Sequence, residues 1–408
     1  MPTESEMTAK ESLDPVISAP MHRAMEAASF IRQMFEEGNR LRAELGDDAV
    51  FDFSLGNPCA PPPESFFSAL RTVAGESSPA DHRYMTNAGR PDVRQWLARR
   101  LSAEHELDIT SDHVVMTCGA AGGLNVLLKS VLEPQDEVLL LTPYFTEYLF
   151  YIQNHGGIPK AVPTQKSFQP DPEAFRRALG PKTRAVIVNT PNNPSGVVYE
   201  PALVEELGRL VDEHSERMGR PVYLFMDEPY RRIRYVDTPH PSALLVSRNG
   251  IIVTSFSKEL GLAGERIGYV VLNPRIEGVE VLFGALGIAT RILGFVNAPA
   301  FMQRIIPHCA GSTVDLSLYR KNREILIDGL TRAGYEMPSP DGAFFLFPKA
   351  PGGDDRTFCD ALKKQCVLTV PGSGFGAPGH FRISYAVPTE RVEKAIPLFA
   401  RAIDEFSD

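Results

Sequence analysis

The chain has 408 residues, of which 43% are hydrophobic and 23% are charged. This length predicts roughly two to three domains, and the composition is typical of a globular protein whose core needs no disulfides. The formal net charge of −9 argues against a general nucleic-acid surface, which requires an excess of positive charge.

The start of the sequence and its cysteines favour a cytoplasmic protein. Residues Met1–Asp14 are polar and of mixed charge, unlike a secretory signal. The sequence has no run of about 18 apolar residues, so no membrane-spanning helix is expected. The five cysteines are scattered and form no C-x-x-C pair, which disfavours a zinc site or a disulfide framework.

The first predicted elements are an arm and a helix. Residues 1–20 are polar and contain three prolines without hydrophobic periodicity, which predicts a mobile N-terminal arm. Apolar residues then recur at helical spacing from Ile31 to Leu45, and Gly46 is expected to end that helix.

Between residues 110 and 275, short apolar runs alternate with helical patterns. Such runs are typical of buried strands separated by helices. The predicted strands are Val114–Met116, Val138–Leu141, Ala185–Val188, Val222–Met226, Ile251–Val253 and Ile267–Leu272. The expected fold class is therefore α/β, with a mostly parallel mixed sheet flanked by helices.

The last hundred residues predict a smaller α+β domain. A helix is expected over 312–333, strands over Phe344–Phe347 and Phe381–Tyr385, and a final helix after Thr389. The predicted division is an arm at 1–20, a small domain from 21–64 and 311–408, and a large domain at 65–310.

The segment from Ser255 to Gly268 carries the most informative motif. Lys258 follows an apolar strand, and Ser255, Ser257 and Arg266 would form a small anion site suited to phosphate. A lysine beside a bound phosphate cofactor suggests a Schiff base, which requires the deprotonated amine. An isolated loop lysine would more often be a solvated surface residue.

This S-x-S-K-x-x-x-x-x-G-x-R-x-G pattern resembles the cofactor-lysine signature of class I/II aminotransferases, the pyridoxal-phosphate (PLP) enzymes of fold type I. The resemblance runs from about Phe51 to Ala386 and is nearest to aspartate aminotransferase-like members. It implies that the large domain binds PLP and that Lys258 is the catalytic lysine.

The resemblance assigns further cofactor contacts. Asp227 would pair with the pyridine nitrogen of the cofactor, and Tyr230 and Asn193 would donate hydrogen bonds to its phenolic oxygen. The resemblance also implies that Asp227 and Tyr230 are catalytic residues together with Lys258. Without the resemblance, Asp227 could equally cap the next helix, and the turn that holds Asn193 could be only a turn.

A strand followed by small residues at Ala120 and Ala121 predicts phosphate contacts at a helix N-terminus. In the resemblance, Tyr144 corresponds to the aromatic residue that stacks on the pyridine ring. Arg382 would grip the α-carboxylate of the substrate, where Gly56 and Asn193 would also lie.

The resemblance also implies a homodimer with shared active sites. Tyr84 would reach the phosphate of the neighbouring subunit, and Asn297 stands at a position that often carries a hydroxyl. Arg83 and Arg291 are candidates for binding a side-chain carboxylate of the substrate, although each could be an ordinary surface arginine.

The activity implied is ping-pong transfer of an amino group from an L-amino acid (aspartate, alanine or a broad range) to a 2-oxo acid such as 2-oxoglutarate. A C–S lyase that performs β-elimination would use the same Lys258, Asp227 and Arg382, so it stays an alternative. A sensor domain without catalysis is disfavoured, because only about 50 residues precede Phe51 and they contain no basic cluster.

Overall fold

The computed structural model of the chain describes residues 16–27 and 29–407. Residues 1–15 of the predicted arm lie outside the described residues, and the first helix begins at Ala19. The strands are β1 (Phe51–Asp52), β2 (Val114–Thr117), β3 (Glu137–Leu141), β4 (Ile158–Val162), β5 (Thr183–Asn189), β6 (Tyr223–Asp227), β7 (Gly250–Ser255), β8 (Gly268–Leu272), β9 (Phe345–Leu346), β10 (Val367–Leu368), β11 (Val370–Pro371) and β12 (Phe381–Ser384).

The α-helices follow in the same order. They are α1 (Ala19–Ala27), α2 (Ser29–Leu45), α3 (Glu64–Gly75), α4 (Pro91–His105), α5 (Gly119–Val131), α6 (Glu147–Asn154), α7 (Pro172–Ala178), α8 (Pro201–Met218), α9 (Ala243–Val246), α10 (Phe256–Glu259), α11 (Val279–Ile292), α12 (Ala300–Ile305), α13 (Ser317–Arg332), α14 (Asp355–Lys364) and α15 (Thr389–Ser407). Among the described residues, no helix combines the length and the apolar character that crossing a bilayer requires.

The large sheet has seven strands in the order β2-β8-β7-β6-β5-β3-β4. β8 runs antiparallel to both of its neighbours, and the other pairs are parallel. The predicted α/β class with a mostly parallel mixed sheet is confirmed, since helices of the intervening segments cover this sheet.

Both faces of the large sheet are buried. Alternate residues of β3 belong to different hydrophobic clusters, with Leu139 and Leu141 in one and Val138 and Leu140 in the other. Because successive side chains of a strand point to opposite faces, a strand buried on both faces must be apolar throughout. This explains why the central strands are recognisable as uninterrupted apolar runs.

Strand β4 was not among the predicted strands. It lies at the edge of the sheet, pairs only with β3 among the described strands, and leaves Ile158 39% exposed. Its sequence contains Pro159 and Lys160, which edge strands tolerate and central strands do not. Because an edge strand can contain such residues, β4 lacks the uninterrupted apolar run from which the other strands were predicted.

A second core lies in the part of the chain that includes β1 and β9–β12. It gathers Phe53 with apolar residues from Ala343 to Ala402. The predicted helix over 312–333 is α13, five residues shorter at its start, and the predicted strand Phe344–Phe347 pairs only over Phe345–Leu346. The domain boundaries themselves stay predictions.

The topology brings several strand ends to one edge of the large sheet. Thr117, Asn189, Asp227 and Ser255 are the last residues of β2, β5, β6 and β7, which all run in the same direction. In an open α/β sheet, ligands bind beyond the carboxyl ends of the strands. The fold therefore predicts a site at this edge.

Candidate active site

A cavity of about 330 Å³ opens at this edge of the sheet. All but two of the residues predicted for the site line it, namely Gly56, Ala120, Ala121, Asn193, Asp227, Tyr230, Ser255, Ser257, Lys258, Arg266 and Arg382. The exceptions are Tyr84 and Tyr144. The first and last of these residues, Gly56 and Arg382, are more than 300 positions apart in the sequence, and the fold brings them to the same cavity.

Lys258 lies on α10, directly after β7. Its Nζ donates a hydrogen bond of 2.7 Å to the carbonyl oxygen of Gly56 and lies 5.5 Å from the centre of the Phe344 ring. Burial, together with the positive charges of Arg266 and Arg382, lowers the pKa of Lys258 to about 8. A neutral, nucleophilic amine is thereby accessible near neutral pH.

Asp227 ends β6 with one of its carboxylate oxygens unpaired. Oδ2 accepts a hydrogen bond of 2.5 Å from the hydroxyl of Tyr148, whereas the buried Oδ1 has no partner among the described residues. Burial raises the pKa of Asp227 to about 7; the Tyr148 hydrogen bond opposes this rise, and the charge of Glu228 adds to it. A cationic N–H group at Oδ1 would satisfy this oxygen and favour the ionised carboxylate.

The N-terminus of α5 forms one end of the cavity. Ala120 and Ala121 in its first turn line the cavity together with Ser255, Ser257 and Arg266. Helix N-termini offer free backbone N–H groups to an anion, and guanidinium and hydroxyl groups add donors.

Gly119 allows Arg266 to approach this helix. A Cβ at Gly119 would lie 2.9 Å from Nη2 of Arg266, and the glycine has a φ of +72°. Arg266 Nη1 donates a hydrogen bond of 2.8 Å to the carbonyl oxygen of Ala263. A side chain at position 119 would therefore both strain the backbone and displace the arginine.

Arg382, on β12, is 2% exposed and lies between the rings of Phe345 and Phe375, with its guanidinium carbon 4.8 Å from each ring centre. Nη1 donates to Oδ1 of Asn193 at 2.9 Å, and Nη2 donates to the carbonyl oxygen of Ser54 at 2.5 Å. The buried Nε has no partner among the described residues.

The Arg382 guanidinium therefore lacks a carboxylate partner within the described chain. Burial lowers its pKa to about 10, which a carboxylate ligand would reverse. Tyr230 packs edge-on against Phe344 and Phe345, and burial raises its pKa. The geometry leaves this end of the cavity suited to a substrate carboxylate.

Of the two aromatic residues that directly follow β3, Phe145 lines the cavity and Tyr144 does not, which is against the stacking role expected for Tyr144. The backbone N–H of Tyr144 donates to the carbonyl oxygen of Phe375, and a Cβ at Gly376 would lie 2.8 Å from the Tyr144 ring. Tyr144 is thus committed to packing against the segment before β12. The sequence places two aromatic residues side by side after β3, and nothing local indicates which one faces the cavity.

Sequence reasoning also missed three polar residues of α6. Glu147, Tyr148 and Tyr151 line the cavity, and Tyr148 holds Asp227. Tyr151 lies four positions after Glu147 and three after Tyr148, so the three side chains lie on one side of α6. This helical spacing directly after Phe145 could have indicated that they share a surface. Their proximity to Asp227 depends on the pairing of the strands and was not visible in the sequence.

The residues expected to act across a subunit interface do not line this chain's cavity. Tyr84 is 90% exposed, and Arg83 and Arg291 are also exposed. Asn297 uses its side-chain amide to donate a hydrogen bond of 2.8 Å to the carbonyl oxygen of Ala298. Their predicted roles toward a partner subunit stay predictions.

The cavity fits pyridoxal phosphate. The anion-binding end at α5, the unpaired Oδ1 of Asp227 and the buried Lys258 match the phosphate, the pyridinium and the aldehyde of that cofactor. The fold and this set of residues define a PLP-dependent transferase of fold type I.

Comparison with known proteins specifies the family. Residues 48–397 match the family described as aminotransferase class I and II. The chain is 32% identical to an aspartate/prephenate aminotransferase of Thermus thermophilus over 86% of this chain and 90% of the relative. It is 29% identical to an aspartate aminotransferase of Thermotoga maritima over 92% of this chain and 95% of the relative.

Solved structures agree. A crystal structure of an amino transferase from Eubacterium rectale superposes with a TM-score of 0.90 at 35% identity and covers 100% of both chains. An aspartate aminotransferase from Thermus thermophilus gives a TM-score of 0.81 at 29% identity over 92% of this chain and 96% of the other. The chain belongs to the class I and II aminotransferases, and it is a PLP-dependent transaminase.

Proposed function

We propose that this transaminase moves the α-amino group of an L-amino acid to a 2-oxo acid such as 2-oxoglutarate by a ping-pong reaction. The observation that carries the proposal is that Lys258, Asp227 and Arg382 open into one cavity. The names of the similar proteins make aspartate one donor to test, beside alanine and a broader range.

Lys258 would move the proton. Its pKa of about 8 leaves an appreciable fraction of the amine neutral near pH 7.5, and a neutral Nζ can accept the proton from the Cα of the bound amino acid. The same Nζ, now protonated, can return that proton later in the cycle. Bound PLP supplies an electron sink for the charge left on the substrate carbon.

Asp227 would hold the proton on the pyridine nitrogen through its unpaired Oδ1, while Tyr148 keeps the carboxylate in place. Asn193 and Tyr230 lie on the cavity wall where they can donate to the phenolic oxygen. Donors at that oxygen would stabilise its negative charge.

Arg382 would bind the α-carboxylate of the substrate and fix its orientation. The bond to be broken must stand perpendicular to the cofactor ring, so the two parallel donors of an arginine are suited to the task. Gly56 supports close approach at this end, because an added Cβ would lie 3.0 Å from the Phe345 ring.

We also propose a cytoplasmic homodimer, as the sequence predicts. Exposed apolar residues support a partner surface: Tyr84 is 90% exposed, Val281 72%, Ile288 61% and Ile292 61%. Sedimentation of the purified protein tests this assembly. A monomer at micromolar concentration that retains full activity would contradict it.

The test of the function is spectroscopic. The purified protein is loaded with PLP, and single amino acids are added without any oxo acid. We expect the visible band of the bound cofactor to disappear as one equivalent of 2-oxo acid is released. Lys258→Ala should reduce this rate by orders of magnitude, whereas Lys129→Ala, on the outer part of α5, should not.

Two other results would contradict the proposal. Catalytic release of pyruvate with ammonia or a thiol, without loss of the visible band, would identify a lyase. Absence of any visible band after PLP is added would exclude PLP catalysis altogether.

A further inference from the structure

Asp52 holds the residue whose carbonyl group contacts Arg382. It is the last residue of β1, and its Oδ1 accepts two hydrogen bonds from Ser54, one of 2.9 Å from the backbone N–H and one of 2.6 Å from the hydroxyl. The carbonyl oxygen of Ser54 in turn accepts the hydrogen bond of 2.5 Å from Nη2 of Arg382. Asp52 is therefore connected to the guanidinium through one residue, although it does not line the active-site cavity.

The second carboxylate oxygen of Asp52 faces a cation outside the cavity. Oδ2 accepts a hydrogen bond of 2.6 Å from Nη2 of Arg42 on α2, and the Asp52 side chain is 7% exposed. Helix α2 approaches closely at Gly38, where an added Cβ would lie 2.9 Å from Leu368 and 3.2 Å from Oδ2 of Asp52. Arg42 thus compensates the buried charge, and an ionised carboxylate is a stronger acceptor for Ser54 than a neutral group would be.

The position of Ser54 decides where part of the Arg382 guanidinium points. Two acceptors hold this guanidinium, namely the carbonyl oxygen of Ser54 at Nη2 and Oδ1 of Asn193 at Nη1. Ser54 is fully buried, and Asp52 holds both its N–H and its hydroxyl, so its carbonyl group has little freedom to turn away. An arginine binds a carboxylate through parallel hydrogen bonds only when its plane is correctly oriented.

We propose that Asp52 is a positioning residue for substrate binding, which keeps the Arg382 guanidinium aimed at the α-carboxylate by holding Ser54. This inference rests on the role of Arg382 in the proposed aminotransfer. Loss of the Asp52 carboxylate should weaken carboxylate binding. It should leave PLP binding unchanged, because the hydrogen bonds of Asp52 go to Ser54 and Arg42 and not to the residues proposed to hold the cofactor.

The test measures how much a carboxylate contributes to binding. The probes are 2-aminoisobutyrate and tert-butylamine, which carries a methyl group in place of the carboxylate; neither has a hydrogen on the amine-bearing carbon. The visible absorption of the PLP-loaded protein reports the binding of each, and the ratio of the two dissociation constants isolates the carboxylate. In the wild type we expect 2-aminoisobutyrate to bind about tenfold or more tightly. Asp52→Ala should reduce this ratio by about three- to tenfold.

Two further variants of this segment grade the effect. Asp52→Asn keeps an acceptor oxygen for Ser54 and should recover part of the lost ratio. Ser54→Ala removes one of the two hydrogen bonds to Asp52 and should reduce the ratio by a smaller factor than Asp52→Ala. Ser54→Ala carries the test if Asp52→Ala does not fold.

The matched control is Asp47→Ala. Asp47 forms an ion pair with the same Arg42, with Oδ1 3.4 Å from Nε, but its side chain is 75% exposed. Its other recorded ion pair is with Arg391, so it does not hold Ser54. This variant should keep the wild-type ratio. Fluorescence titration of each apoprotein gives the affinity for PLP, which should stay within about twofold of the wild type for all of these variants.

The inference and the proposed function fail in different ways. If Asp52→Ala keeps the wild-type ratio, or if it weakens both probes or PLP equally, Asp52 has no positioning role although aminotransfer stands. A wild-type ratio near one, or an Arg382→Met variant that keeps the wild-type ratio, would instead refute the role proposed for Arg382. That second result concerns the proposed function, whatever the effect of Asp52→Ala.

Discussion

Asp227 and Glu228 are adjacent in sequence, yet their carboxylates face opposite sides of the end of β6. Asp227 lines the active-site cavity, whereas Glu228 faces a separate cluster behind it that contains Arg231 and His240. The alternation of side chains along an extended strand produces this arrangement. The Asp227 carboxylate, which we propose binds the cofactor, therefore has a second buried carboxylate on the other side of the strand end.

The residue after Lys258 has a similar position. Glu259 lies near Arg232, with Oε2 3.9 Å from the Nε of that arginine. Glu104 of α4 forms ion pairs with both Arg231 and Arg232. Through these contacts, the segments that follow β6 and β7 are tied together on the side away from the cavity.

Removal of Arg231 should destabilise the fold strongly. Its Nη1 lies 3.5 Å from Oε2 of Glu228, whose side chain is 1% exposed. Arg231→Gln leaves that charge without a full partner, and we expect a loss of about 3–5 kcal/mol in the free energy of unfolding. Chemical denaturation measures it. The control Arg176→Gln, at an exposed ion pair, should change stability by less than about 0.5 kcal/mol; equal effects would refute the argument.

The apoprotein should gain stability between pH 8 and pH 10.5 because of Lys258. The folded pKa of about 8 lies below the ordinary value of 10.5, so in this range the unfolded chain binds the extra proton. The free energy of unfolding therefore rises with pH, by about 3 kcal/mol over the window. The difference between the wild type and Lys258→Met isolates this contribution. A difference that does not vary with pH would contradict the lowered pKa.

Phe145 should contribute more to cofactor affinity than Tyr144 does. Phe145 lines the cavity, whereas Tyr144 packs against Gly376. We expect Phe145→Leu to weaken PLP binding by about three- to tenfold, since ring stacking contributes about 0.5–1.5 kcal/mol. Tyr144→Leu serves as the comparison, and fluorescence titration of the apoproteins measures both. A larger loss for Tyr144→Leu would restore the assignment made from the sequence.

Asp227→Asn should retain PLP but slow the half-reaction. An amide cannot stabilise a protonated pyridine nitrogen, so the electron sink weakens, and we expect a loss of about 100-fold or more. Stopped-flow absorption gives the rate. Asp237→Asn, on an exposed loop, removes the same charge without touching the cavity and should react normally. Comparable rates for the two variants would exclude the role of Asp227.

The sequence predicted those features that local patterns encode. Central strands such as β5 and β6 are uninterrupted apolar runs because both faces are buried, and the lysine motif is contiguous. The contacts made by Tyr148 and Glu228 depend on which strands become neighbours, which no local pattern reveals. The choice between Tyr144 and Phe145 depends on the packing of the Tyr144 ring against Gly376, more than 200 residues away.

The short segment at Ser54 and Gly56 gives the site an order of assembly. Lys258 donates to Gly56 across 202 positions of sequence, whereas Arg382 donates to Ser54 across 328 positions. During synthesis, Lys258 and Arg266 therefore emerge from the ribosome well before Arg382. A nascent chain can therefore complete the part of the pocket proposed to bind the cofactor first, and the arginine proposed to bind the substrate is added only when the last strand has been translated.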